Sequence, residues 1–165
     1  MGEADRQKSA QMSTYDPKRT WRETFDLHSI GLVGNPQGGD MQRRKRILVV
    51  EDQPDSRRII RDMLAHTDYE VTEVENGEEA LAAIAKQRPD LILMDVQLPV
   101  MDGYTATRRI KADPALRSIP IIAVTSYALD GEAKVAKAAG CDDYVPKPYS
   151  PRELLAKIRE ILPEA

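Results

Sequence analysis

The sequence predicts an α/β fold of the doubly wound kind, a parallel sheet with helices on both faces. Three observations predict it. From Arg46 onward, five short apolar or β-branched runs alternate with five segments of helical period within about 120 residues. Three of those runs are continuously apolar, as expected of strands covered on both sides. Proline, glycine and asparagine punctuate the stretches between them.

Each element has its own signal. Ile47-Leu48-Val49-Val50 is a buried strand, and Pro54 opens a helix whose apolar face is Ile59, Ile60, Met63 and Leu64. Residues Tyr69 to Val74 alternate more and are rich in β-branched side chains, so they read as an edge strand. Asn76-Gly77 reads as a turn. Ala80, Leu81, Ile84 and Ala85 make the next helix, which stops before Pro89. Leu91-Ile92-Leu93-Met94 is a second buried strand. A loop with Pro99 and Gly103 leads to a helix around Ala106–Ala112, with Ile110 inward. Ile121-Ile122-Ala123-Val124 is a third buried strand. Residues 129–139 are helical with a small-residue apolar side. Asp143-Tyr144-Val145 is a short strand. Ser150-Pro151-Arg152-Glu153 is a capping box with proline at the first helical position, and Leu154, Leu155, Ile158, Ile161 and Leu162 carry the last helix.

Composition narrows the functional class. The chain has 165 residues, 41% hydrophobic and 31% charged, with aromatics only 5%, so aliphatic side chains must fill the core. Residues 46–165 carry sixteen basic and twenty-one acidic side chains, a poor footprint for nucleic acid. The single cysteine, Cys141, cannot close an internal disulfide, which suits a reducing compartment. No apolar run approaches membrane-spanning length and no secretory signal opens the chain, so the expectation is a cytoplasmic protein with no membrane partner. Residues 1–43 form an N-terminal arm expected to be disordered or loosely structured. Within the arm, Trp21, Phe25, Leu27, Ile30, Leu32 and Val33 make an apolar patch, read either as part of a loose tail or as a docking segment. Met41 is an alternative start.

The strand ends carry the chemistry. Doubly wound sheets bind ligands beyond the carboxyl ends of their strands. The first strand ends in Glu51-Asp52, the third in Asp95, the fourth in Thr125-Ser126, and the fifth shortly before Lys147-Pro148. Taken singly, each is an ordinary residue: a cap, a helix start, strand punctuation, a surface lysine. Together they bring three carboxylates, two hydroxyls and an ammonium to one edge. Crowded carboxylates repel, and a hard divalent cation with oxygen ligands relieves them. Asp52 and Asp95 are natural direct ligands for Mg²⁺, with Glu51 reaching through a water. A carboxylate is also a nucleophile toward phosphorus, and such transfer needs mainly positioning and charge neutralisation. Lys147 and the metal would neutralise phosphoryl charge, and the Thr125 hydroxyl would donate to a phosphoryl oxygen.

These residues resemble the receiver domains of bacterial two-component response regulators. The matching stretches are Ile47 to Asp52, Leu91 to Gly103, Ala123-Val124-Thr125-Ser126 and Asp143-Tyr144-Val145-Pro146-Lys147-Pro148. The likeness covers about residues 44–163, and the receiver domain is expected over 44–165. The stretch from Asp90 to Gly103 and the Gly140-Cys141 turn look closest to the single-domain cell-fate regulators of that family. The resemblance implies a flavodoxin-like five-stranded sheet of order 2-1-3-4-5 with five helices. It implies that Asp95 accepts a phosphoryl group from a histidine of a sensor kinase or phosphotransfer protein. It implies Mg²⁺ on Asp52, Asp95 and the main-chain carbonyl of Gln97, with Glu51 assisting through a water. Thr125 and Lys147 would sense the phosphoryl group, and Tyr144 would be the rotating aromatic that turns inward when Thr125 moves. The Lys147-Pro148 bond is similar to the family's cis peptide. Three departures stand out: Glu51 where Asp is common, Ser126 where a small Ala is frequent, and Tyr149 where Phe is common.

Two rivals compete with this reading. A phosphatase of the haloacid-dehalogenase type also uses a nucleophilic Asp with Mg²⁺ and Lys, but places a second Asp two residues later as acid and base. That position here is Gln97, which cannot transfer protons usefully. A scaffold that works without phosphorylation would lack Asp95, Thr125 or Lys147, and none is missing. The expectation is therefore a signalling protein with only slow self-phosphorylation and self-dephosphorylation. With no further domain seen after Pro163, its output is expected to be contact with a downstream protein or a second copy of itself, not with DNA.

Overall fold

A computed structural model describes residues 43–126 and 131–164. Residues 1–42 of the arm, with its apolar patch and Met41, lie outside the described residues. Strands β1 (Arg46–Val50), β2 (Glu70–Val74), β3 (Leu91–Asp95), β4 (Ile121–Thr125) and β5 (Asp143–Pro146) alternate with helices α1 (Pro54–Leu64), α2 (Gly77–Lys86), α3 (Gly103–Ala112), α4 (Glu132–Ala139) and α5 (Pro151–Ile161). The strands form one sheet of order β2-β1-β3-β4-β5. All four pairings are parallel. The expected fold and strand order are those observed. Among the described residues no helix is long and apolar enough to cross a membrane.

Burial follows from this order. The central strands β3 and β4 are buried at every position, whereas the edge strand β2 has no fully buried residue. Successive side chains of a strand point to opposite faces. Leu48, Val50, Ile92, Met94 and Ala123 join Ala80, Ile84, Ala106, Ile110 and Ala136 in one buried cluster, so α2, α3 and α4 cover that face. The alternate residues Val49, Leu93, Ile122 and Val124 point to the other face, where α1 and α5 contribute buried Ile60, Leu64, Leu154 and Ile158.

Local chemistry sets the helix starts. Pro54 stands at the start of α1, where its missing N–H is no loss. Ser150 and Glu153 form the expected capping box, and Pro151 is the first residue of α5. Asn76-Gly77 is not a free turn. The Asn76 side chain accepts from the Glu79 N–H at 2.9 Å, and Gly77 is the first helical residue. The α3 helix begins at Gly103, three residues earlier than the sequence suggests, because Asp102 caps it by accepting from the Thr105 N–H at 2.9 Å. Gly103 is required for a steric reason. A Cβ there would lie 2.0 Å from the carbonyl oxygen of Asp95. The start of α3 is therefore pressed against the end of β3, and the Gly103 N–H donates to Val96 O at 3.0 Å.

Candidate functional site

Parallel register brings the ends of β1, β3, β4 and β5 to one edge. Val50 pairs with Met94, Asp95 with Val124, and Thr125 with Pro146. Glu51, Asp95 and Thr125 are the buried polar residues there, at 2%, 3% and 0% exposure. Asp52 is half-buried and Ser126 is exposed. Ligand oxygens of Glu51, Asp52 and Asp95 all lie within 4.8 Å of one another.

Among the described residues, one cation serves this cluster's carboxylates directly. Lys147 Nζ donates to Asp95 Oδ2 at 2.6 Å and to Glu51 Oε2 at 2.8 Å. The Lys147–Pro148 peptide is cis, as the sequence suggested, and the Lys147 N–H donates to Thr125 O at 2.6 Å. Three further carboxylate oxygens find local donors. The Gln97 N–H donates to Asp95 Oδ1 at 2.9 Å, the Gln53 N–H to Glu51 Oε1 at 3.0 Å, and Gln53 Nε2 to Asp52 Oδ2 at 2.9 Å. The Gln97 backbone is thus at the site, with its side chain exposed.

The electrostatics follow. Burial, and then the neighbouring Asp95 charge, raise the Glu51 carboxyl above its ordinary range, although the Lys147 hydrogen bond pulls the other way. Burial would lower the Lys147 ammonium, but its hydrogen bonds to Asp95 and Glu51 outweigh burial and hold Lys147 above its ordinary value. Three carboxylates facing one ammonium leave an excess of negative charge. All the convergent donors are hard oxygens, so the set fits a small divalent cation.

Glu51, Asp52, Asp95, Gln97, Thr125 and Lys147 come together at this edge, whereas Tyr144 lies further back along β5, paired with Ala123. Tyr144 is half-buried and packed against the central cluster, on the strand that carries Lys147. Other neighbours carried no sequence signal. Arg57 reaches back from α1 to donate to Glu51 O at 2.7 Å and Asp52 O at 3.0 Å. Thr125 Oγ1 donates to Glu132 Oε1 at 3.3 Å, and the Tyr104 hydroxyl donates to the same oxygen. Tyr104 and Glu132 are 28 residues apart and lie on different helices, so no local spacing could reveal the link. Burial, and then the Glu132 carboxylate, push the Tyr104 phenol well above its ordinary value.

A doubly wound sheet of this order, with an acidic cluster and one lysine beyond its carboxyl ends, defines the flavodoxin-like class that includes signal receivers. Residues 47–159 match the response regulator receiver domain, and the chain belongs to that family. It is 39% identical over 121 residues to the polar-differentiation response regulator DivK of Brucella anthropi, covering 73% of this chain and 98% of that one. The DivK of Brucella ovis is 37% identical over the same span. Among solved structures, the receiver domain of the sensor histidine kinase PA1611 from Pseudomonas aeruginosa, with magnesium coordinated in its active-site cleft, is 42% identical at a TM-score of 0.66 (72% of this chain, 98% of that one). A response regulator from Chloroflexus aurantiacus is 33% identical at a TM-score of 0.70 (73% of this chain, 98% of that one). The chain is thus a receiver domain of the two-component system, similar to single-domain regulators. Such domains are in general signalling proteins controlled by phosphorylation, not enzymes.

Proposed function

We propose that Asp95 is the phosphoacceptor of this chain. In this reading the phosphoryl group comes from a phosphohistidine on a sensor kinase or phosphotransfer protein. An Asp95 carboxylate oxygen attacks phosphorus, the phosphorus–nitrogen bond breaks, and the electron pair leaves with the imidazole. Lys147 holds Asp95 in place beforehand and neutralises phosphoryl charge afterwards. The Thr125 hydroxyl turns to a phosphoryl oxygen, and Tyr144 follows inward. Asp52, Asp95 and the Gln97 carbonyl would hold Mg²⁺, with Glu51 assisting through a water. When bound there, the ion would supply positive charge to offset repulsion between the phosphoryl group and the carboxylates.

The observation that carries this reading is the convergence of Glu51, Asp52, Asp95 and Lys147 from three separate strand ends. Gln97 stands where a hydrolase of similar chemistry needs an acid, so the phosphoryl group is expected to stay on the protein for longer than one enzymatic turnover. The output is a change in protein–protein contacts, made by residues 44–165 as the receiver unit. The direct test is incubation with acetyl phosphate and Mg²⁺, followed by intact mass measurement. The wild type gains one phosphoryl group and Asp95→Asn gains none. Equal incorporation in Asp95→Asn would move the acceptor elsewhere, and steady hydrolysis of small phosphate esters would favour an enzyme.

A further inference from the structure

The Thr125 hydroxyl has a single proton to donate. In this structure it donates to Glu132 Oε1, in the first turn of α4. A phosphoryl oxygen on Asp95 would need the same proton. We infer that Glu132, held in place by Tyr104, is a positioning residue that retains the Thr125 hydroxyl in the resting state and so opposes phosphoryl recognition. This inference rests on the reading of Asp95 as phosphoacceptor and deepens it.

The geometry gives the two contacts unequal strength. The Thr125–Glu132 bond is long at 3.3 Å, near the limit for a hydroxyl donor, and so exchanges readily. The Tyr104 hydroxyl makes the close contact to the same oxygen. Tyr104 belongs to α3, is half-buried, and packs against the central cluster. It therefore fixes the carboxylate, and the carboxylate in turn offers Thr125 a charged acceptor. The start of α4 has no side-chain cap: its N-cap is Gly131, and Glu132 is the acidic residue of its first turn. When Thr125 turns to the phosphoryl group, the first turn of α4 loses this bond to β4 and keeps its bond to α3. The signal then reaches the outer helices through Glu132 as well as through Tyr144.

The test is the affinity of the full chain for beryllofluoride in the presence of Mg²⁺, read by titration calorimetry. Glu132→Ala removes the competing acceptor and should bind the phosphoryl mimic about three- to tenfold more tightly. Glu132→Gln keeps an uncharged acceptor and should gain less. Tyr104→Phe unfastens Glu132 from a different helix and should shift affinity in the same direction, which covers the case where the α4 variants fold poorly. In a Thr125→Val background there is no hydroxyl to retain, so Glu132→Ala should change nothing further. Unchanged affinity in both Glu132→Ala and Tyr104→Phe would overturn the inference. So would an equal gain in the Thr125→Val background, since that would mean general loosening. Failure of the wild type to bind the mimic, or equal binding by Asp95→Asn, would instead remove the phosphoacceptor reading itself.

Discussion

The two edges of the sheet handle acidic side chains in opposite ways. At the amino edge, Asp90 accepts from the Arg46 N–H at 2.7 Å and from Arg43 at 2.8 Å. Asp142 accepts from the Ile121 N–H and from Lys111 Nζ, both at 2.8 Å. Each acid thus has its own cation and a strand N–H. At the carboxyl edge, Glu51 and Asp95 share the single ammonium of Lys147, and Asp52 crowds the same space. The cause is the polarity of a parallel sheet. Its strands begin with unpaired N–H groups and end with unpaired carbonyls. A carboxylate completes the first edge and is repelled by the second. Acids at the amino edge therefore finish the fold, while acids at the carboxyl edge leave a demand for positive charge that the described residues do not meet.

The strongest way to break this comparison is to remove one cation from each edge. Lys147→Ala would leave Glu51 and Asp95 buried without an ammonium, and the expected cost is about 3 kcal/mol of folding stability without divalent ions. Lys111→Ala unpairs the exposed carboxylate of Asp142, and the expected cost is about 1 kcal/mol or less. Urea denaturation at pH 7 measures both. Equal losses would mean that the carboxyl edge is no more strained than the other.

The second way is to supply the missing charge. Mg²⁺ at a hundredfold excess over its dissociation constant should raise stability by about 2.7 kcal/mol. The response should be largely lost in Asp52→Asn and intact in Asp90→Asn. Thermal melts with and without Mg²⁺ check this. A full response in Asp52→Asn would place the ion outside the acidic cluster.

How much of this was readable in the sequence depends on how local each signal is. The strands were plain because their apolar runs are continuous, and a strand buried on both faces has no polar position to confuse the pattern. The carboxylates and Thr125 were legible for a related reason: Glu51-Asp52 and Asp95 directly follow such runs and Thr125 ends one, whereas Lys147 follows the short mixed strand Asp143–Pro146 and was legible only through its motif. Helix starts were less legible. Asn76 and Asp102 cap helices through side-chain bonds to residues three further on, and the same Asn-Gly or Asp-Gly pair also marks a turn. Contacts between elements were not legible at all. Nothing in the chain pairs Arg57 with the Glu51 carbonyl, or Tyr104 with Glu132, because those partners meet only after the helices have docked on the sheet. Tyr69 shows the same limit. Alternation placed it in the edge strand, yet β2 starts at Glu70, and Tyr69 is 6% exposed because the end of the chain covers it.

Tyr69 also gives the smallest and finest test of the comparison, through pH. It precedes β2 at the amino edge, and its hydroxyl donates to the carbonyl of Leu162, just beyond α5. Burial, and then the Glu164 charge, push its phenol from 10.0 up to about 12. A folded value above the unfolded one means that the neutral form is favoured in the fold. The contribution is fully present below pH 10 and is lost as pH rises toward about 12. Tyr69→Phe should cost about 1 kcal/mol at pH 7 through the lost hydrogen bond. Because phenylalanine cannot ionise, the gap between the two proteins should narrow above pH 10 and close or reverse near pH 12. Urea midpoints at three pH values read this directly, and parallel curves would show that the phenol ionises as easily in the fold as out of it. The carboxyl edge carries its corresponding burden in acid. Glu51 also has a raised folded value, so its contribution is present below its ordinary 4.5 and is lost as pH rises through the folded value. Tyr69 at the amino edge thus holds its full contribution at pH 7, while at the carboxyl edge burial and the neighbouring Asp95 charge disfavour the ionised form of Glu51. That is the condition under which an added cation has the most to gain.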